Sequence, residues 1–293
     1  MANSFKIAGL GEALWDAFPE GETFGGAPAN FACHCRSLGA DAFMVSSLGC
    51  DARGQKARAF LNQHGVDTAC LVEDPEHETG VVLVTLDADG KPDYEIKQHV
   101  AWDHIQWTDA MGQVAAQLNA VCFGSLAQRS DVSRATIARF LAATPTDCLR
   151  VFDVNLRQTY YDDAILQASL TMASALKLSD EELPVVAQLV GADGDDAEKV
   201  DVIMKAFDLR LVVLTLGSEG ALMVTPDDSS FATPPAIDVV NTVGAGDALT
   251  AAAITGFLRG LPLDVINAKA NQLASYVCTQ DGAVPSLSDA TFS

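Results

Sequence analysis

Residues 241–257 read NTVGAGDALTAAAITGF, and Gly244, Ala245, Gly246 and Asp247 are placed where phosphate chemistry could be done. Leu249, Ala252, Ala253, Gly256 and Phe257 recur at helical spacing. A helix is therefore expected from near Gly244, with Asp247 in its first turn. The first N–H groups of a helix have no intrahelical partner and lie at the positive end of its dipole. Residues with almost no side-chain bulk let those amides approach an anion closely. Asp247 then has two readings. It is either a favourable acid in a first helical turn, or a base that takes the proton of a hydroxyl attacking a bound phosphate.

Other stretches carry polar groups at the ends of apolar runs. In FDVNLRQ, Asp153, Asn155 and Arg157 alternate. Period-two spacing is expected to point all three to one side, toward the cleft beyond the carboxyl ends of a parallel sheet. In LKLSDEEL, Ser179 and Glu182 have the spacing of a capping box, the reading that spacing favours. TLGSEGALM, with Thr215 closing a strand and Gly217 and Gly220 in the turn, is explained by a simple hairpin. Taken alone, Asp16 reads as a turn acid, Asn30 as an early-helix polar residue and Asn271 as an ordinary helical one. Cys33, His34 and Cys35 are neighbours that point in different directions on a helix. No second cluster completes a tetrahedral set, so no metal is expected there.

These residues need elements to position them. FKIAGLG, AFMVSSLG, AVCFGS, LRVFDVN, ALKLS and LRLVVLTLG are short apolar runs, most of them followed by helical segments. APANFACHCRSLGA is predicted as a helix with Pro28 in its first turn and Gly39 beyond its end, and ARGQKARAFLNQHG as another. AIDVVN, ahead of the glycine turn, is predicted as a strand. Near-continuous apolar strands separated by helices indicate a mostly parallel sheet covered on both faces. Residues 12–25 and 79–100 break that rhythm. The second segment reads as two strands joined by the turn DADGKPD. Together they are expected to form a small β-sheet, either a lid or a decorated edge. The main α/β body is then residues 1–11, 26–78 and 101–293.

Bulk properties narrow the function. The chain has 293 residues, 49% of them apolar, with 39 acidic and 18 basic residues for a net charge of −21. One α/β domain with an appendage fits that length. So acidic a chain, with no Arg/Lys cluster, repels nucleic acid. No run reaches the roughly 18 apolar residues that suggest a membrane span. MANSFKIAGLGEALWD carries one Lys and soon meets acids, unlike a secretory signal, so a cytoplasmic location is expected. Seven scattered Cys do not make a disulfide framework. GLGEAL begins like a dinucleotide fingerprint but has Leu14 where the third Gly belongs, and no Walker A motif is present. A nicotinamide dehydrogenase and a P-loop kinase are thereby disfavoured.

NTVGAGD resembles the second signature of the ribokinase/PfkB family of carbohydrate kinases, Asp-Thr-x-Gly-Ala-Gly-Asp. GGAPANFACHCRSLGA, from Gly25, resembles the first, with SLGCDARG following it. The resemblance runs from GEALWD to DGAVPS, nearly the whole chain, and is nearest to bacterial fructokinases in GEALWD and LKLSDEEL. It implies a ribokinase-like α/β fold with a small β lid. The implied activity is ATP-dependent, magnesium-dependent transfer of a γ-phosphate to a sugar hydroxyl, with fructose the expected sugar. Ribose, 2-keto-3-deoxygluconate and ribonucleosides are alternatives, as is a non-catalytic sugar- or nucleotide-binding protein. Trp15 and YEIKQHVAWDHI either shape the choice of sugar or pack the lid.

The resemblance also implies roles. Asp247 is the base, ionised and weak, and Gly244, Ala245 and Gly246 are the anion hole. Asp16, Gly25, Gly26 and Asn30 bind sugar hydroxyls, and Arg157 reaches substrate or phosphate. Ser179, Thr215, Gly217, Gly220 and Asn271 face the nucleotide, and Glu182 orients magnesium through water. Ser179 stands where the family has Asn, which weakens any phosphate contact there. The family's monovalent-cation site maps to Asn241, Val243, Gly282 and Ser286. Asn241 replaces an Asp and removes a full charge, so little or no potassium stimulation is expected. Related enzymes dimerise through their lids, so the same homodimer is an expectation here.

Overall fold

The computed structural model describes residues 4–19, 21–86 and 92–287. The chain opens with β1 (Lys6–Leu10), the hairpin β2 (Leu14–Phe18) and β3 (Gly21–Gly25), then α1 (Ala27–Ser37) and β4 (Asp41–Gly49). Next come α2 (Ala52–Gln63), β5 (Leu71–Asp74), β6 (Gly80–Leu86) and β7 (Pro92–Ile96). A regular alternation follows: α3 (Asp109–Ala115), β8 (Ala120–Gly124), α4 (Asp131–Ala142), β9 (Leu149–Asp153), α5 (Asp163–Met172) and β10 (Ala175–Ser179). Then come α6 (Leu183–Val190), α7 (Asp196–Ala206), β11 (Leu211–Thr215), β12 (Ala221–Val224), β13 (Ser229–Ala232), α8 (Ala245–Leu258) and α9 (Leu263–Cys278).

Nine strands form one sheet in the order β13-β12-β11-β10-β9-β8-β1-β4-β5. It is parallel from β11 to β5, with β12 and β13 added antiparallel at one edge. The strands are apolar on both faces because both are covered. Val121 and Phe123 of β8 join one core with Phe140, Leu166, Val186 and Ile203 of α4 to α7. Ala120 and Cys122 join the other with Phe31 of α1, Ile254 of α8 and Ile266 of α9. On that second face α1 lies almost on the backbone of β1. A Cβ at Gly9 would stand 2.0 Å from the carbonyl oxygen of Pro28, so only glycine allows the contact.

The second sheet has the order β3-β2-β6-β7, and its strands fall within the two segments that break the sequence rhythm. The DADGKPD turn lies largely outside the described residues. Polar clamps tie this sheet to the body. Asp51 caps α2 at the Gly54 amide and accepts the N–H and hydroxyl of Thr79, at the entry to β6. Beyond β7, Arg129 is paired with Asp103, lies over Trp102 and Tyr160, and donates to the Lys97 carbonyl.

One predicted strand is absent. Residues 236–241 have no strand partner, and Val239 and Val240 are 60% exposed. An apolar run reads as a strand only if a sheet edge or a core accepts it. Here the Val240 N–H goes instead to the carbonyl of Cys278 at the end of α9.

Candidate active site

The carboxyl ends of β1, β9, β10 and β11 meet the N-terminus of α8. Gly244 is the N-cap of α8 and adopts the left-handed conformation, φ 81 and ψ −7, which a side chain disfavours. Gly246 lies over Lys177, whose Nζ would be 3.6 Å from a Cβ at that position. Asp247 falls in the first turn of α8, as the spacing predicts. Its Oδ2 accepts from Nδ2 of Asn30, 2.9 Å away and 217 residues distant in sequence. The two residues assigned as base and sugar ligand are thus in contact.

Beneath them lies a buried charge cluster. Lys177 donates to Asp153 at 3.0 Å, both side chains being almost wholly buried. Burial pulls the ammonium's pKa down, but Asp153, Glu182 and Asp247 outweigh it and hold the group charged. Glu182 accepts the Ser179 amide on one oxygen and the Leu156 amide on the other, each at 2.8 Å. The Ser179 hydroxyl in turn accepts from the Glu182 amide at 3.3 Å. The reciprocal bonds of a capping box are therefore present, but they close the turn between β10 and α6, whose N-cap is Glu182 itself and not Ser179. Each Glu182 oxygen keeps a lone pair for a water, which suits an indirect hold on a hydrated divalent cation. Among the described residues no group of three His, Cys, Asp or Glu side chains could hold a metal by itself.

Two expectations are corrected here. Asp153, Asn155 and Arg157 do not share one side by strand alternation. The strand ends at Asp153, Asn155 takes a positive φ of 39 and Arg157 is exposed. Asp153 is also the partner of a buried lysine. Nor is Asp247 an ordinary, weak carboxylate. Desolvation, then the charge of Asp153, push its pKa up to about 6, against the pull of Asn30, Lys177 and Arg157.

The other assigned residues surround this centre unevenly. Asp16, on β2, is half-buried, with Oδ2 2.8 Å from where a Cβ of Gly25 would stand. Burial pushes its carboxyl up to about 6, moderated by Arg157. Trp15 points to the opposite face of the strand, where it packs on Phe24 and donates to the Arg53 carbonyl. Gly26 is the N-cap of α1, and its carbonyl accepts the Asn30 amide. Thr215 ends β11 and donates to the Leu178 carbonyl, and Gly217 and Gly220 form the turn into β12. Asn271 is buried on α9, its amide donating to Asn267. Asn241 donates to the Gln280 carbonyl at 3.1 Å while its Oδ1 accepts the Val243 amide at 2.9 Å. Gly282 has φ 82, and the Ser286 carbonyl accepts from the Tyr276 hydroxyl.

Sequence reasoning passed over Lys177 and Glu12. A charge inside the apolar strand ALKLS was the available signal for the first. Glu12 is buried, and its Oε2 has no partner among the described residues. Burial pushes its carboxyl up to about 7, with its own amide and Arg157 opposing and Asp247 and Asp153 adding to the rise. Among the described residues this centre thus brings together a carboxylate of raised pKa, a row of small-residue amides at a helix start, a buried cation and an exposed cation. That set suits transfer of a phosphoryl group to a hydroxyl.

Comparisons with known proteins agree with this chemistry. The pattern of the pfkB family carbohydrate kinases matches residues 17–290. The fructokinase of Klebsiella pneumoniae is 32% identical over 282 residues, covering 92% of this chain and 90% of that one. The structure of the Xylella fastidiosa fructokinase with bound ATP superposes with a TM-score of 0.85 at 20% identity, covering 96% and 94% of the two chains. The Vibrio cholerae O395 fructokinase, in its fructose, ADP and calcium ion bound form, gives 0.80 at 25% identity over 96% and 95%. The fold is ribokinase-like, and the chain belongs to the pfkB family of carbohydrate kinases.

Proposed function

We propose that this kinase transfers the γ-phosphate of ATP to the primary hydroxyl of fructose, giving fructose 6-phosphate and ADP. The observation that carries the reading is the contact of Asp247 with Asn30 at the glycine-lined start of α8. In this reading Asp247 is the base, Asn30 the sugar-binding amide and the Gly244–Gly246 amides the anion hole, and the contact supports their acting as one site. The sugar lies between Asp16 on the small sheet and Asn30 on α1, with its reactive hydroxyl toward Asp247. Asp247 takes the hydroxyl proton as the phosphoryl group leaves ADP. At about 6, its pKa makes it a better proton acceptor than an ordinary Asp while leaving it ionised at neutral pH. The Gly244–Gly246 amides meet the charge on the migrating group, and Lys177 steadies them from below.

Arg157 lies close enough to lower the pKa of Asp16, Glu12 and Asp247, and it joins the site as an exposed cation for sugar or phosphate. Magnesium, when bound with the nucleotide, neutralises phosphate charge, with Glu182 holding one of its waters. Ser179, Thr215, Gly217, Gly220 and Asn271 make up the nucleotide side in this reading, and the small sheet is the lid. An ATP-consuming enzyme of this kind fits a cytoplasmic location, and a homodimer through the lid belongs to the same reading.

The deciding experiment is a coupled ADP-production assay with magnesium-ATP and a panel of ketoses, aldoses, sugar acids and nucleosides. Fructose is expected to give the highest kcat/KM. A ribose, 2-keto-3-deoxygluconate or nucleoside optimum would replace the sugar and keep the transfer.

A further inference from the structure

His34 is fully buried on α1 and outside the catalytic set. Its Nε2 lies 2.9 Å from the carbonyl oxygen of Ala283, 249 residues away. A carbonyl oxygen only accepts, so Nε2 carries the ring proton. Nδ1 is buried without a partner among the described residues. Burial in an apolar setting keeps the ring neutral, pushing its pKa down to about 4. Cys33 and Cys35 flank it, equally buried.

What His34 holds is the backing of the anion hole. A Cβ at Gly244 would fall 2.5 Å from the Ala283 oxygen and 2.7 Å from the Ala283 Cβ. Gly244 therefore rests directly on Ala283. The glycine turn has its own side-chain donor to the same 280–283 segment, the Asn241 amide to the Gln280 carbonyl. The backbone amides of Val240 and Asn241 add bonds to the Cys278 carbonyl. Asn241 brings no carboxylate to this turn: its oxygen accepts the Val243 amide, its nitrogen donates to the Gln280 carbonyl, and the Ser286 carbonyl accepts from the Tyr276 hydroxyl. The turn is thus held by N–H and O–H donors, with no anionic side chain at position 241 to attract a monovalent ion.

We propose that His34 is a positioning residue for phosphoryl transfer. Through Ala283 it fixes the direction of the Gly244–Gly246 amides, and with Asn241 it braces this turn by N–H donors in place of a monovalent cation. The inference rests on the reading that these amides receive the phosphate.

His34→Leu removes the donor at similar volume, and His34→Gln keeps an N–H at similar reach. Both are compared with the wild-type chain by hydrogen–deuterium exchange and by kcat and KM for ATP and fructose, in potassium chloride and in choline chloride. Expected for His34→Leu are faster exchange at 241–248 and 279–284, a kcat about tenfold lower or more, and an unchanged fructose KM. His34→Gln restores most of the loss, and potassium leaves the wild-type rate unchanged. Wild-type exchange and kcat in His34→Leu would overturn the proposal. So would a loss of protection spread through the chain that His34→Gln does not rescue. Strong potassium activation of the wild type would overturn the replacement of the cation. A wild type that makes no ADP with any sugar sinks the kinase reading, while the exchange comparison still tests the brace.

Discussion

Asp247 and Asp16 have the same raised pKa of about 6 and opposite surroundings. On the side of the main sheet the polar groups are wired before any ligand arrives. Asp247 holds Asn30, Asp153 holds Lys177, and Glu182 holds two backbone amides. On the small sheet Asp16 has no hydrogen-bond partner among the described residues. In the proposed reaction, one wall is preorganised for developing charge, whereas the other is completed by the hydroxyls of the sugar. Preorganised donors act on the transition state and so on kcat, while groups that the substrate completes act on its binding.

The largest effect that tests this contrast is at the base. Asp247→Ala is expected to lower kcat about 10²–10⁴-fold, with ATP affinity by calorimetry unchanged. Near-normal turnover would remove Asp247 from its role. Next is Lys177→Met, which strands Asp153 as an unpaired buried charge and should cost about 3–5 kcal/mol in urea unfolding. Adding Asp153→Leu should recover most of that stability but little turnover, because the cation under Gly246 is still missing. Recovery of both would make the pair purely structural.

At the small sheet, Asp16→Asn is expected to raise the fructose KM about tenfold and to change kcat less. A kcat loss as large as that of Asp247→Ala would erase the distinction between the walls. The smallest effect is in the pH profile. Asp247 acts as a base only when ionised, so kcat/KM should fall by about a decade per unit or more below about pH 6. Asp16→Asn should leave that limb in place and flatten the acid-side rise in KM. In the folded state Asp247 has a raised pKa, so its ionised form costs stability at neutral pH. Asp247→Asn should therefore raise the Tm at pH 7.5, and a lowered Tm would contradict the burial that sets its pKa.

Much of this was legible in the sequence because it is local. Period and apolar runs locate the strands and helices, and GAGD declares a helix start. The family resemblance implies roles for Asn30 and Asp247 at one site, but no spacing in the sequence announces their contact across 217 residues. What stayed hidden depends on three-dimensional surroundings. The basicity of Asp247 comes from burial and from Asp153, which only the folded sheet brings near. Strand alternation failed in FDVNLRQ because the backbone turns at Asn155, beyond the end of β9. AIDVVN reads as a strand, yet it lies outside the sheet with two exposed valines. Lys177 was visible as a charge in an apolar strand, but its partner Asp153 comes from a neighbouring strand.

The near-contact of Gly9 with Pro28 changes how tolerance to substitution along this chain should be read. Asn30 is two residues beyond Pro28 on the same helix, so a methyl at position 9 would shift that helix and drag the carboxamide off Asp247. A mutational scan scored by growth would rank position 9 beside the true active-site residues. Its intolerance would come from two main chains too close to admit one carbon atom.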